Sequence, residues 1–142
     1  MSRAWVSSLL RARQVQEDVA RQRLAQARRH AQEAHAQVHA ETERLEAMNG
    51  DAEPTSVLAF VAAASARHSA AATWFAAKHA RAVAEDQVAV RAGAVTAAAQ
   101  DRRGVEKLAE RAAAEAHQAA ATAMQKELDE IGGRRTPDRD AG

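Results

Sequence analysis

Residues 20–50 read ARQRLAQARRHAQEAHAQVHAETERLEAMNG, and they decide the fold. Ala20, Leu24, Ala27, Ala31, Ala34, Val38, Leu45 and Met48 recur at alternating steps of three and four, with Glu41 as a polar member of the series. That spacing keeps one narrow apolar stripe on one side of a helix, which is the seam of a coiled coil. The stripe extends backward through Ala12, Leu9 and Trp5, with Gln16 as a second polar interruption, and neither Gly nor Pro occurs between Ser2 and Met48. A first helix is therefore expected over about 2–48, roughly 70 Å long at 1.5 Å per residue. Asn49-Gly50 ends it, with Gly50 expected as a left-handed cap, and Pro54 forbids simple continuation, so a turn is expected over 49–55.

Thr55 or Ser56 can cap a second helix, and the next proline is Pro137, so helical character is expected from Val57 to Ile131. Setting Trp5 beside Ile131 in an antiparallel pair puts Met48 near Val88 and leaves about 57–87 without a partner on the first helix. A break near His68 to Thr73 would accommodate that surplus. The expected architecture is all-α: one long antiparallel two-helix coiled-coil hairpin with a short additional helix at its tip. The tip helix is expected over about 56–70, the long return helix over about 73–131, and a disordered tail over 132–142. Val88, Val95, Val105 and Leu108 keep phase along the return helix, whereas the step from Leu108 to Met124 does not fit the same repeat. Met124, Leu128 and Ile131 then re-establish a bulky stripe. Gly93 and Gly104 are weak points, each costing up to ~1 kcal/mol in a helix interior relative to Ala.

Composition agrees with thin helical packing. Alanine supplies 40 of the 142 residues, Val, Leu and Ile together 19, and there are two Phe, two Trp and no Tyr. So little bulky material cannot fill a thick globular interior, but alanine forms helix readily and lets two helices approach closely. Cysteine is absent, which excludes disulfides and thiolate metal sites. No apolar run approaches the ~18–20 residues of a spanning helix, and the N-terminal stretch lacks the apolar core of a secretion signal, so a cytoplasmic location is expected.

Charge supports the antiparallel direction. Residues 1–30 hold seven arginines against Glu17 and Asp18, while 106–130 hold six acidic residues against Lys107, Arg111 and Lys126. An antiparallel pair sets these segments side by side. Exposed ion pairs contribute only about 0–1 kcal/mol each, so they select orientation more than they stabilise.

Chemistry-bearing patterns are sparse. His35 and His39 share a helical face at a spacing of four, yet no HExxH pattern or thiolate accompanies them, and solvated surface histidines are the expected reading. No glycine-rich phosphate loop, nucleophile elbow or paired catalytic carboxylates occur, so catalysis, cofactors and metals are not expected. The arginines of residues 1–30 are interleaved with acids and lack aromatic companions beyond Trp5, which argues against nucleic acid. Trp74-Phe75 joins two of the four Phe and Trp residues, and Lys78 lies one turn on. Two readings stand for the pair: packing on Phe60 and Val61 in a folded-back tip, or an aromatic anchor for a partner's groove.

Two stretches resemble the flagellar type III export protein FliJ family and its injectisome counterparts. WVSSLLRARQVQEDVARQRLAQA, from Trp5 to Ala27, is similar to the family's opening: an aromatic, a Leu-Leu-Arg-x-Arg core, Gln-Glu and an Ala/Leu-rich helix. Val105-Glu-Lys-Leu-Ala-Glu-Arg111, followed by Gln125-Lys-Glu-Leu-Asp-Glu130, is similar to its closing "EKL-x-ER … LDE" pattern. The resemblance implies a non-catalytic cytoplasmic component of the flagellar export apparatus, like the stalk of a rotary ATPase, held peripherally at the inner face of the cell membrane. It implies binding to a hexameric export ATPase, the cytoplasmic domain of the export gate, and export chaperones. Arg11, Arg13, Glu110 and Arg111 would face the ATPase; Trp74, Phe75 and Lys78 would lie toward the gate. The other class of function open to such a sequence is a structural homodimeric coiled-coil scaffold or spacer.

Each buried CH₂ contributes ~0.8 kcal/mol, so a seam built on alanine leaves the hairpin marginal. Cooperative unfolding at low temperature, with a rise in Tm on adding a binding partner, is the expected outcome of circular-dichroism melting. A helix signal unchanged to high temperature would contradict it.

Overall fold

The computed structural model describes residues 3–50 and 55–135, and among them it contains two α-helices, α1 (Arg3–Asn49) and α2 (Val57–Arg135). The expected helix start at Ser2, the middle of the turn at 51–54 with Pro54, and the tail over 136–142 lie outside the described residues. Packing divides the chain into two units, one of residues 1–16 and 99–142, the other of residues 17–98. Each pairs a segment of α1 with a segment of α2.

In the unit of residues 17–98, the buried or half-buried positions of α1 include Glu17, Ala20, Leu24, Ala27, Ala31, Ala34, Val38, Glu41, Leu45 and Met48. On α2 they include Ala63, Ala70, Trp74, Ala77, Arg81, Ala84, Val88, Arg91, Val95 and Ala98. Both series alternate in threes and fours, with alanine the commonest residue, so two helices can lie close without a thick core. Trp74 Nε1 donates to Thr42 Oγ1 at 2.9 Å, and His35 Nε2 lies 3.4 Å from Glu85 Oε1. Those contacts set an antiparallel register with the early part of α2 beside the end of α1.

Two carboxylates interrupt the α1 seam, and both are buried: Glu17 and Glu41 are 4% and 3% exposed. Each is held from one turn away on its own helix. Arg21 Nη2 reaches Glu17 Oε1 at 2.7 Å; Gln37 Nε2 donates to Glu41 Oε1 at 3.1 Å, and Arg44 lies 3.5 Å from Glu41 Oε2. Glu41 Oε2 is buried without a hydrogen bond. Polar groups in a seam cost stability and disfavour other registers, because sliding would move them against different neighbours.

In the unit of residues 1–16 and 99–142, Val6 is buried and Leu10 and Arg13 are half-buried on α1, and Arg102, Val105, Ala109 and Ala112 carry the seam on α2. Arg13 Nη1 lies 3.7 Å from Asp101 Oδ2. From Ala113 to Arg134 every residue of α2 is exposed.

Several expectations are corrected. The separate tip helix over 56–70 and the break at His68–Thr73 do not occur, because α2 is unbroken from Val57 to Arg135. Residues 70–87 are not left over, since Trp74 meets Thr42 and Ala70, Ala77 and Ala84 are buried, whereas over 57–69 every residue except the half-buried Ala63 is exposed. Trp5 is not set beside Ile131; both are more than half exposed, and the uncovered length lies at the other end of α2. The seam begins on Val6, Leu10, Arg13 and Glu17, so the first four expected positions, Trp5, Leu9, Ala12 and Gln16, were one residue out of phase. Gly50 does not adopt a left-handed conformation; its N–H closes α1 on Ala47 O at 3.3 Å. Gly132 and Gly133 do not end α2, which continues to Arg135. Of the two candidate caps, Ser56 serves, its Oγ accepting from Ala59 N at 3.1 Å.

Gly93 and Gly104 are exposed, and a Cβ at either would meet nothing within 4 Å. Gly93→Ala and Gly104→Ala should each stabilise by up to ~1 kcal/mol, read as a rise in Tm by circular dichroism. Thr42→Val removes the acceptor of the part-buried Trp74 Nε1 and should destabilise by about 1 kcal/mol in the same assay.

Candidate docking surfaces

The aromatic pair is split by the seam. Trp74 is half-buried because its position falls on the α1-facing stripe, and its indole N–H enters a short relay: it donates to Thr42 Oγ1, which donates to Val38 O at 2.8 Å. Lys78 Nζ sits 4.4 Å from the Trp74 ring centroid, and the Phe75 ring meets it edge-on at 5.0 Å and 67°. The cation and the ring quadrupole attract, and the T-shaped pair aligns ring edge with ring face. Trp74 is therefore a fastening of α2 to α1. The folded-back reading does not hold, because Phe60 stands on the same unbroken helix about 22 Å before Phe75, at 1.5 Å per residue.

Phe75 belongs to a different face. It is 64% exposed, and at about 100° per residue it shares one side of α2 with Val57, Val61, Ala64 and His68, flanked by Leu58 and Phe60. This side is turned away from the seam. Val57 and Leu58 are each 81% exposed, and no acidic residue occurs between Thr55 and Ala84. Large apolar side chains gathered on one exposed face mark a docking surface rather than scattered surface residues. Packing of Phe75 on Phe60 and Val61 was one of the two readings open from sequence; on the unbroken helix these residues are instead exposed.

In the other unit the structure places all four of Arg11, Arg13, Glu110 and Arg111. Arg13 is half-buried and paired to Asp101, and Arg11, Glu110 and Arg111 are exposed. Arg111 lines an open groove with Val6, Leu108, Ala112, Glu115 and Ala116. Sequence reasoning missed the bare helix that follows, although the phase break between Leu108 and Met124 was its signal.

The histidines diverge: His35 faces Glu85 on α2, and His39 lies 3.2 Å from Glu43 on its own helix. Among the described residues no group of three or more His, Asp or Glu could hold a metal ion, and no helix is long and apolar enough to cross a membrane.

A family model described as "Flagellar FliJ protein" matches residues 5–139. No curated protein and no solved structure matches the chain. The matched span takes in nearly all of both helices and both candidate surfaces, and the chain belongs to the FliJ family, which makes it a component connected with flagellar export.

Proposed function

We propose that the protein is a non-catalytic, stalk-like part of the flagellar type III export apparatus that binds and stimulates the hexameric export ATPase and links it to the export gate and to export chaperones. The observation that carries this reading is the family match over residues 5–139 of a chain built as paired helices. A coiled coil two helices thick has no enclosed interior in which to desolvate a reacting group, and it suits insertion and contact better than chemistry. Stimulation then follows from linkage: a chain that binds the assembled ring better than free subunits shifts the equilibrium toward the ring. Arg11, Glu110 and Arg111, with Arg13 behind them, are the polar contacts for the ATPase. The Phe75 face is the contact for the cytoplasmic domain of the gate, where exposed aromatics supply most of the binding energy. Lys78 sits over the Trp74 ring, and Trp74 holds Phe75 through their T-shaped contact. The protein acts in the cytoplasm, reaching the inner face of the membrane through its partners.

Titrating the purified chain into its export ATPase should raise ATP turnover and saturate near the stoichiometry of the ring. Unchanged turnover at saturating chain would overturn the reading. Phe60→Ala with Phe75→Ala should weaken binding to the isolated gate domain about tenfold or more while leaving stimulation intact. Both residues are exposed, so equal loss of the two activities would assign them to the fold instead.

A further inference from the structure

Beyond Ala112, the last half-buried seam position, α2 continues as an arm whose residues from Ala113 to Arg134 are all exposed. It is about 33 Å of helix at 1.5 Å per residue. Met124, Leu128 and Ile131 are its large apolar residues, 65%, 57% and 53% exposed, and their steps of four and three align them on one face. Carrying the seam's alternation past Ala112 leads instead through Ala116, Ala119, Ala123 and Lys126. At about 100° per residue those positions lie about 80–160° round the helix from Met124. A longer α1 would therefore leave the Met124 face bare, and this face requires a partner of its own.

The face is complementary to itself when reversed. We propose that the arm pairs antiparallel with the arm of a second copy of this chain, each Met124 resting on Ala121 of the other. The same register sets Ile131 against Ala114, so two of the three large side chains meet alanine, and Leu128 lies against His117. It also brings Arg134 beside Glu110 and Glu127 beside His117, each twice under the two-fold symmetry. A parallel pairing would instead stack Glu127 on Glu127 and Arg134 on Arg134. The contact is confined to the arm, about six turns of each helix, and the dimer is reversible. The inference does not rest on the export reading; a ring that takes the same arm would compete with the second copy.

Sedimentation velocity of the full chain, from a few micromolar to several hundred micromolar, should show a concentration-dependent monomer–dimer equilibrium. Met124→Glu with Leu128→Glu should raise the dissociation constant at least tenfold without changing the helix signal. Arg134→Glu should weaken the dimer and Arg134→Glu with Glu110→Arg should restore it. The chain has no cysteine, so oxidising an equal mixture of Ala121→Cys and Met124→Cys chains should give the mixed disulfide dimer. A mixture of Ala119→Cys and Lys126→Cys, on the opposite side, should not. A monomer at every concentration, a dimer indifferent to the Met124 and Leu128 changes, or failure of the charge reversal to restore pairing would each overturn the proposal.

Discussion

The connection between the helices, residues 50–56, constrains everything else, because a chain that short can only return beside the end of α1. Closing a longer separation would require a connection the sequence does not have. The end of α1 thus meets the early part of α2, as the Trp74–Thr42 bond records, and pairing proceeds outward from there. Since α1 has 47 residues and α2 has 79, α2 is exposed at both ends, over 57–62 and, for a longer stretch, over 113–134.

Alanine determines how the rest of that pairing behaves. A methyl group excludes little water, so each layer of Ala27, Ala31, Ala34, Ala77 and Ala84 contributes weakly, and neighbouring registers differ little in apolar burial. Specificity falls to the few side chains that differ from alanine. Trp74 needs an acceptor for its indole N–H and finds it in Thr42. Glu17 and Glu41 need partners inside the seam, and Arg21, Gln37 and Arg44 supply them from one turn away on the same helix. Burying them is costly, and a seam carrying them tolerates fewer alternatives.

The helices and their direction were legible because the alternation from Ala20 to Met48 and the scarcity of Gly and Pro are local signals. The register was not. Aligning Trp5 with Ile131 matched two bulky ends and two complementary charge blocks, whereas closure of the short turn outweighs both, since exposed charges contribute little. The continuity of α2 was hidden by the same error, because an uncovered stretch reaching to residue 87 invited a break at His68–Thr73 that the shorter exposed stretch of 57–69 does not need. Before Ala20 the stripe was placed one residue off: Trp5 and Leu9 outweigh Val6 and Leu10 in bulk, and the charged Arg13 and Glu17 conceal the true phase. The FliJ resemblance was legible from Trp5–Ala27 and Val105–Glu130, since charged helical motifs at set positions are distinctive where runs of alanine are not.

Trp74 and Phe75 show how one dipeptide serves two purposes on an unbroken helix. A step of about 100° turns the first ring into the seam and the second toward solvent. Fastened by Thr42 and capped by Lys78, the indole presents its face to the Phe75 edge, and this restrains an exposed phenyl ring that would otherwise sample several rotamers. Restraint before contact lowers the entropy lost on binding, so a pre-set ring docks better than a free one. An alanine-rich helix carries almost no other large apolar side chain along this face after Val61, so the candidate anchor stands at the one position where the seam itself supplies the support.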